Sequence, residues 1–379
     1  MVDFQAASSQ IRGPFKVETV TKAAKALRAS MDHPATVALA FASANYAPHL
    51  SEFCEILRVD GHIVDVIGCT ASGWIEGGNE FEGGSGCSIL ALHCDVGDPI
   101  ALHGDDPHWP THWNSPPNAS VILANPFHFD IDVWLRDSNK RFPGLPAIGG
   151  LASGGGQDDT CVFHNGKVVD AVMLPVVGRT TLVPVLSQGC RPIGEPFTVT
   201  RAEHNVLYAL GNQSAYNALE SAFQTLTEDQ KSHARGNLFA GLAGNEYIDD
   251  FKPGDFLIRN IIGADPGSGA VVIGGIPRVG QTLQYQLRDR SIAIEDLDRA
   301  YNGVQAFSDR AFASLLFSCL GRGKQFFGDS GKDAARLADA IGGKPSAGFF
   351  CNGEIAPVRG LNALHGNTAA AAIWVKKNP

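Results

Sequence analysis

The heptapeptide Ile67-Gly68-Cys69-Thr70-Ala71-Ser72-Gly73 recurs along the chain in altered form. A second copy is IGGLASG at 148–154 and a third lies within IGGKPSAG at 341–348, whereas residues 273–280 keep the glycine pair without the serine. Consecutive glycines after an apolar run indicate a strand that ends in a turn with positive φ, or a backbone that another group approaches closely. Tight turns and a ligand cradle are therefore both open interpretations.

Three of these glycine segments follow the same series of predicted elements, namely a short strand, a polar turn, an amphipathic helix and a second strand. The distance from the end of the first strand to the isoleucine before the glycines is nearly constant: Phe41 to Ile67, Leu123 to Ile148 and Phe317 to Ile341. Such spacing predicts an internal repeat of β-α-β units. We expect an α/β fold of mixed sheets covered by helices, with α+β as the alternative, and ligands at the carboxyl ends of the strands.

Composition limits the class of protein and its partners. The chain has 379 residues, 44% hydrophobic and 18% charged, which predicts a globular protein of two domains. Its net charge of −9 argues against nucleic acid or an anionic membrane as a partner. No apolar run reaches eighteen residues and the first twenty contain no apolar signal core, so we expect a cytoplasmic protein without a membrane span.

The cysteines and histidines do not form a recognisable metal motif. Eight cysteines occur without a CxxC pair, which favours free thiols over disulfides or structural zinc. Residues 103–114 (HGDDPHWPTHWN) contain potential metal ligands, but Pro107 and Pro110 prevent a regular helix from placing His108 and His112 on one face. The sequence favours a solvated loop there, and no metal site is predicted.

Local patterns divide the chain into three segments. Residues 18–31 have the periodicity of an amphipathic helix, the Asn165-Gly166 dipeptide predicts a hairpin, and a helix is predicted at 213–226 after the Gly211-Asn212 turn. We therefore expect a leader helix at 1–33, an N-terminal part at 34–212 and a C-terminal part at 213–379. The ligand would bind between the two parts. Arg259 interrupts an apolar strand, so its guanidinium needs an anionic partner from the fold or from a ligand.

Several segments taken together resemble the FIST family (F-box and intracellular signal transduction domain). They are IGCTASG at 67–73, IGGLASGG at 148–155, LIRNIIG at 257–263, LLFSCLGRGKQFFG at 315–328 and GKPSAGFFCNGEI at 343–355. The resemblance extends from about residue 34 to 368. One departure is Trp74-Ile75, where the family more often has an acidic turn such as Gly-Glu-Ile, and it bears on which ligand the first unit would accept.

The resemblance implies a sensory function. FIST domains look like input modules of signalling proteins that bind small molecules such as amino acids, and some bacterial members are haem proteins that respond to nitric oxide. By that analogy, this chain would be a stand-alone receptor that signals to a histidine kinase or a cyclic-dinucleotide enzyme.

The repeat and the resemblance together select the candidate site residues. Cys319 and Arg322 would place a thiol and a guanidinium at one strand end, able to hold a carboxylate, while Glu354 would accept from an ammonium group. The alternatives are a buried hydrophobic role for Cys319 and an ion pair between Arg322 and Glu354. The full set of predicted ligand-binding residues is Gly68, Cys69, Thr70, Asn125, Gly149, Gly150, Ser153, Arg259, Asn260, Cys319, Gly321, Arg322, Gly323 and Glu354.

Two other classes of function are open alternatives to an amino-acid or carboxylate sensor without a cofactor. A haem protein would need an axial ligand, for which the candidates are His93, His204 and His365, and the absence of CxxCH means that haem would be non-covalent. An enzyme would use Cys69 or Cys319, or the set Ser72, Ser153 and Ser346, as nucleophile. No GxSxG, P-loop, HExxH or dinucleotide motif supports catalysis.

Overall fold

The computed structural model describes residues 3–104, 115–234, 236–244, 251 and 254–377. The chain forms two compact units, and each draws on separated segments. The first unit consists of Met1–Leu186, Asp298–Leu364 and Thr368–Pro379, and the second of Ser187–Leu297 and His365–Asn367. The division of the sequence at residues 33 and 212 stays a prediction.

Strands dominate the described chain, and helices lie between them. The strands are β1 (Gln5–Arg12), β2 (Ala35–Ala42), β3 (Ile63–Thr70), β4 (Gly73–Glu76), β5 (Asn79–Glu82), β6 (Gly86–His93), β7 (Ile100–Leu102), β8 (Ala119–Ala124), β9 (Ala147–Leu151), β10 (Val162–His164), β11 (Lys167–Val169), β12 (Ala171–Val176), β13 (Thr180–Ser187), β14 (Cys190–Pro192), β15 (Phe197–Glu203), β16 (Val206–Leu210), β17 (Gln213–Ser214), β18 (Leu238–Ala243), β19 (Phe256–Asp265), β20 (Ala270–Ile273), β21 (Thr282–Arg288), β22 (Ala311–Cys319), β23 (Ser346–Cys351), β24 (Glu354–Val358), β25 (Leu361–His365) and β26 (Ala369–Lys376). The α-helices are α1 (Val17–Ala29), α2 (Leu50–Asp60), α3 (Ile131–Arg141), α4 (Ala215–Gln224), α5 (Glu228–Ala234), α6 (Arg290–Asn302), α7 (Lys324–Phe327) and α8 (Lys332–Ala340).

The described residues of the first unit form three six-stranded sheets with the same relative strand order. The orders are β1-β6-β2-β3-β10-β11, β7-β12-β8-β9-β24-β25 and β13-β26-β22-β23-β4-β5. At the centre of each sheet lies the parallel pair of one β-α-β unit, namely β2 with β3, β8 with β9, or β22 with β23. The predicted repeat and the predicted mixed sheets are therefore confirmed. We call these three copies repeats 1, 2 and 3.

Each repeat donates a hairpin to the sheet of another repeat. Hairpin β4–β5 of repeat 1 pairs with β23, hairpin β10–β11 of repeat 2 pairs with β3, and hairpin β24–β25 of repeat 3 pairs with β9. The exchange runs in one direction around the three sheets, so no repeat completes its own sheet. The predicted hairpin at Asn165-Gly166 is confirmed, since these residues have φ of 50° and 82°, which a two-residue type I′ turn requires.

The inner faces of the three sheets share one apolar core. Phe41 stacks on Phe349 with ring centroids 4.8 Å apart, and Phe317 meets both rings edge-on at 6.3 and 5.8 Å. Helices cover the outer faces: α1 and α2 cover the first sheet and α3 covers the second through buried Trp134. Alternating apolar residues along the strands supply the inner face, and the amphipathic helices close the outer one.

The recurring glycines serve the approach of neighbouring strands. Gly68, Gly149 and Gly348 lie inside β3, β9 and β23, and none has a positive φ. A Cβ added at Gly149 would lie 1.7 Å from the Ile122 carbonyl oxygen of the adjacent parallel strand, and the corresponding distance at Gly68 and at Gly348 is 1.9 Å. The close-approach interpretation is right, and the positive-φ turn interpretation is wrong at these positions.

In repeat 3 the predicted glycine segment lies one element too early. Gly342 and Gly343, with φ of 66° and 68°, form the turn between α8 and β23, whereas Gly348 inside the strand is the counterpart of Gly68. A further difference is strand β1, which has no counterpart among the predicted elements.

The second unit is a small closed barrel. Strands pair in the order β21-β15-β16-β20-β19-β18, and β18 returns to β21. Leu207, Val271 and Tyr285 are fully buried in its core, and α4 packs on it through Ala218. The Tyr285 hydroxyl donates to the Ala215 carbonyl at 2.8 Å, so the aromatic side chain is satisfied at its polar end.

Candidate functional site

Ser153 joins all three repeats where their inner strands end. Its backbone N–H donates to the Thr70 carbonyl at 3.1 Å. Its Oγ accepts from the Ser72 N–H at 2.9 Å and donates to the Phe350 carbonyl at 2.6 Å. Ser153 is 1% exposed. The hydroxyl of this predicted ligand-binding residue therefore both accepts and donates a hydrogen bond inside the protein.

The other predicted residues of these strand ends are also enclosed by protein atoms. The Thr70 hydroxyl accepts from the Cys161 N–H at 2.9 Å, and a Cβ at Gly150 would lie 3.1 Å from that of Cys351. Cys69 is fully buried, and burial raises the pKa of its thiol well above the ordinary value. A buried thiol with a raised pKa holds little thiolate at neutral pH, which makes Cys69 a poor nucleophile.

The loop after β22 holds a buried ion pair between Arg322 and Asp333. The guanidinium contacts the carboxylate in bidentate fashion, with Nε 2.7 Å from Oδ2 and the second nitrogen 2.8 Å from Oδ1, and Ser318 Oγ donates at 2.8 Å. Both charged side chains are at most 1% exposed. Burial alone would lower the pKa of Arg322, but Asp333 raises it above its ordinary value. Arg322 thus has an internal anion that no sequence pattern indicated.

The exchanged hairpin β4–β5 places two carboxylates against the same loop. Glu82 accepts from the Lys324 N–H at 2.7 Å and lies beneath Gly323, which has φ of 79°. Glu80 caps α8, because its carboxylate accepts at 2.8–3.0 Å from three backbone N–H groups at the start of that helix, those of Gly331, Asp333 and Ala334. Burial, and then Asp333, raise the pKa of Glu80.

Glu354 is a fully buried carboxyl at a position that is apolar in the other repeats. It stands opposite Gly150 on the neighbouring strand, as Trp74 stands opposite Phe349 and Val162 opposite Cys69. One Glu354 oxygen accepts from the Thr368 N–H and hydroxyl at 3.0 and 2.7 Å, and the other accepts from the Cys351 thiol at 3.3 Å. Burial raises its pKa to about 7.

The raised pKa of Glu354 predicts a pH-dependent stability. Because its folded-state pKa lies above the ordinary value of 4.5, the folded state binds more protons between pH 4.5 and 7, and the free energy of unfolding falls as pH rises through that window. We expect the Tm of Glu354→Gln minus the Tm of the natural protein to increase as the pH rises from 5 to 8. Glu220→Gln, at an exposed position, is the control and should show no such trend. A difference in Tm for Glu354→Gln that stays constant over this pH range would contradict the prediction.

A surface groove opens where β8 and β9 end. It has a volume of about 460 Å³ and is lined by residues 126–132, Leu151 and Leu364. Asn125, a predicted site residue, fixes the start of its lining loop, since its side chain accepts from the Phe127 N–H at 2.9 Å and donates to the Thr160 carbonyl at 2.8 Å. The volume falls in the range of small-molecule sites, at the strand ends where the fold predicts a ligand.

The groove combines apolar walls with acidic side chains. Phe127 is 48% exposed, and Phe129, Leu151 and Leu364 add apolar surface. Asp130 caps α3 through its Oδ1, which accepts from the Val133 N–H at 2.9 Å, and Asp132 follows in the first turn. Among the described residues that line the groove none is lysine or arginine. The aspartate before an amphipathic helix was the available sequence signal, but nothing local marked a groove.

The remaining predicted site residues lie on β19 and at the end of β22. Arg259 and Asn260 lie on β19 of the second unit, where an Arg259 nitrogen donates to the Ile258 carbonyl at 3.1 Å. Cys319 is half-buried and Gly321 is exposed at the end of β22. Asn260 Oδ1 accepts from the Asn367 side chain at 3.4 Å within the second unit. The role of the fourteen predicted residues in ligand binding stays a prediction.

Two of the histidines considered as axial haem ligands lie at the end of a strand and in a turn of the fold. His93 Nδ1 lies 2.7 Å from the Pro34 carbonyl oxygen, and His204 has φ of 51° in the turn between β15 and β16. Over the described ranges, no three histidine, cysteine or acidic side chains form a metal-binding group, and residues 105–114 of the histidine-rich segment lie outside those ranges.

No helix in the described part of the chain has the length and hydropathy of a membrane span.

Comparison with known proteins gives matches over nearly the whole chain. The FIST N domain matches residues 36–213 and the FIST C domain matches residues 215–357. An uncharacterized protein of Mycobacterium tuberculosis (Rv0628c) is 35% identical over 324 residues, which cover 82% of this chain and 83% of that protein. An uncharacterized protein of Mycobacterium bovis (Mb0898c) is 37% identical over 258 residues, 67% of each chain.

Proposed function

We propose that this chain, which belongs to the FIST family, senses a small ligand in the groove at the ends of β8 and β9 and passes the signal to a separate protein. FIST domains are in general sensory domains of signalling proteins. We place the protein in the cytoplasm, with a histidine kinase or a cyclic-dinucleotide enzyme as its partner by analogy with the family. The ligand is an amino acid or another small organic molecule.

The observation that supports this proposal is the position of the groove. It lies at the carboxyl ends of the parallel pair of repeat 2 and is lined by the loop after β8, the start of α3 and Leu151 at the end of β9. Gly149 packs against the neighbouring strand inside β9, the Ser153 hydroxyl is hydrogen-bonded within the protein, and Arg322 is bound to Asp333. The groove instead offers accessible surface of both apolar and charged character to a molecule from solution.

Thermal shift measurements test the proposal directly. We expect one or more compounds from a panel of amino acids, amines and small carboxylates to raise the Tm, because a ligand at one hundred times its Kd adds about 2.7 kcal/mol to the free energy of unfolding. Phe127→Ala removes exposed groove surface and should abolish the ligand-induced shift.

Leu361→Ala is the matched control for this experiment. Leu361 is 51% exposed on β25 but does not line the groove, so its truncation costs a similar amount of apolar surface without touching the ligand. Both variants should change the Tm of the free protein by similar small amounts. The proposal fails if no compound in the panel raises the Tm, or if Leu361→Ala loses the shift as completely as Phe127→Ala.

A further inference from the structure

We infer that the ligand of this groove is recognised through an ammonium group and an apolar body, with its amine beside Asp130 and Asp132. A carboxylate on the ligand would be dispensable. This inference rests on the proposed function and specifies the chemical class of its ligand. It follows from two independent observations, a comparison of the three repeats and the charge of the groove.

In repeat 3 the corresponding place is filled by the protein itself. The elements there are the loop after β22, the first turn of α8 and the exchanged hairpin β4–β5. Glu80 of that hairpin is 8% exposed and its carboxylate occupies the start of α8, while Glu82 accepts from the Lys324 N–H in the loop. Side chains of the exchanged hairpin therefore fill the place in repeat 3 that corresponds to the groove of repeat 2.

In repeat 1 the exchanged hairpin β10–β11 also closes the corresponding place. Its turn residue Gly166 packs on the start of α2 so closely that an added Cβ would lie 2.7 Å from Ser51 Cα and 3.2 Å from the Leu50 carbonyl oxygen. Before that helix, Phe15 stacks on His49 with ring centroids 4.5 Å apart. The start of the helix is thus covered by backbone and aromatic atoms.

In repeat 2 the exchanged hairpin does not cover the start of the helix in this way. Here the exchanged hairpin β24–β25 contributes Leu364, which lines the groove of about 460 Å³. The start of α3 is capped by its own Asp130 and by no side chain that the hairpin supplies among the described hydrogen bonds. Because one fold fills the same place twice and leaves it open once, the opening is a specific property of repeat 2.

The charge of the groove selects the ligand. The lining of the groove includes the carboxylates of Asp130 and Asp132, and among its described residues there is no lysine or arginine. Two carboxylates attract an ammonium group and repel a carboxylate. Exposed Phe127 offers a ring face to the cation, and Leu151 and Leu364 offer contact to an apolar body.

Three probes with the same phenyl body separate these contributions. Phenethylamine, phenylalanine and 3-phenylpropionate carry an amine, both groups and a carboxylate, and each is titrated into the full chain at pH 7 by calorimetry, with thermal shift as a second readout. We expect the two amines to bind with affinities within about tenfold of each other and 3-phenylpropionate to bind at least about tenfold more weakly, as expected for one lost charge pair of roughly 1.4 kcal/mol.

Asp132→Asn tests the assigned contact. It should weaken phenethylamine binding about fivefold, the scale of a solvent-exposed ion pair. Glu52→Gln is the matched control, because Glu52 is the exposed acidic residue in the first turn of α2 in repeat 1, where the place is closed, and it should leave the affinity unchanged.

The outcomes distinguish the inference from the function on which it rests. Equal or tighter binding of 3-phenylpropionate would overturn the inference and leave a sensor of another ligand class. Equal weakening by Asp132→Asn and Glu52→Gln would overturn the assigned contact, because a general charge effect would explain both. If the groove variant Phe127→Ala retains every ligand-induced shift, the proposed site itself is lost, whichever probe binds.

Discussion

Gly149→Ala is expected to lower the free energy of unfolding by about 3 kcal/mol or more, or to prevent folding. The added Cβ would lie 1.7 Å from the Ile122 carbonyl oxygen and 2.8 Å from its carbon, both of them backbone atoms. No side-chain rotation relieves such a contact, so β8 and β9 must separate at the centre of their sheet. Urea unfolding followed by far-UV circular dichroism measures the loss.

Gly156→Ala is the control within the same repeat. Gly156 has φ −79° and ψ −173°, an extended conformation open to any residue, and no described atom lies within 4 Å of an added Cβ. Its stability should stay within about 0.5 kcal/mol of the natural protein. A loss no larger than this for Gly149→Ala would show that the strands accommodate a methyl group and that close approach does not explain the glycine.

Gly149 and its counterparts show how far sequence patterns reach. The recurrence of strand, helix, strand and glycine predicted the three parallel pairs, because each pattern is local and the three copies can be compared with one another. A glycine looks the same whether positive φ or a nearby carbonyl requires it, so the sequence pattern aligns Gly342-Gly343 with Gly68 in place of Gly348. Only the neighbouring strand distinguishes the two cases.

The exchange of hairpins was beyond prediction for a related reason. Strand β4 follows β3 after two residues, and the local pattern is that of a hairpin continuing its own sheet. It pairs instead with β23, so that Phe349 stands opposite Trp74. Strand partners so distant in the chain leave no periodicity in either segment, and register is decided by which apolar faces meet in the shared core.

The chemistry of the candidate site was harder to predict than the part of the fold that forms it. Strand ends were expected to bind the ligand, and Asn125 at the end of β8 borders the groove. A ligand carboxylate was expected beside Arg322 because a thiol and a guanidinium were predicted at one strand end, with an ion pair to Glu354 as the alternative. The guanidinium instead binds Asp333, eleven residues further along. Charge partners set by the folding of a loop cannot be inferred from composition, and neither can an opening such as that beside Phe127.

Asp333→Asn is expected to lower the free energy of unfolding by about 3–5 kcal/mol, the scale on which removal of one partner from a buried ion pair acts. The change keeps the size and shape of the side chain but leaves the Arg322 guanidinium, 0% exposed, without its carboxylate. The same loop provides a control in Asp329→Asn, which breaks the exposed pair of Asp329 with Lys332 and should cost less than about 1 kcal/mol.

A double variant decides whether the cost of Asp333→Asn comes from the unpaired charge or from lost packing. In Arg322→Met with Asp333→Leu both charges are replaced by apolar groups of related volume, and a buried pair replaced in this way is often neutral for stability. We expect the double variant to recover at least half of the loss caused by Asp333→Asn in urea unfolding. If the double variant is less stable than Asp333→Asn, the desolvated guanidinium is not the main cause of that loss. The hydrogen bond that Ser318 Oγ donates to Asp333, which the double variant removes, would then account for the stability of this loop.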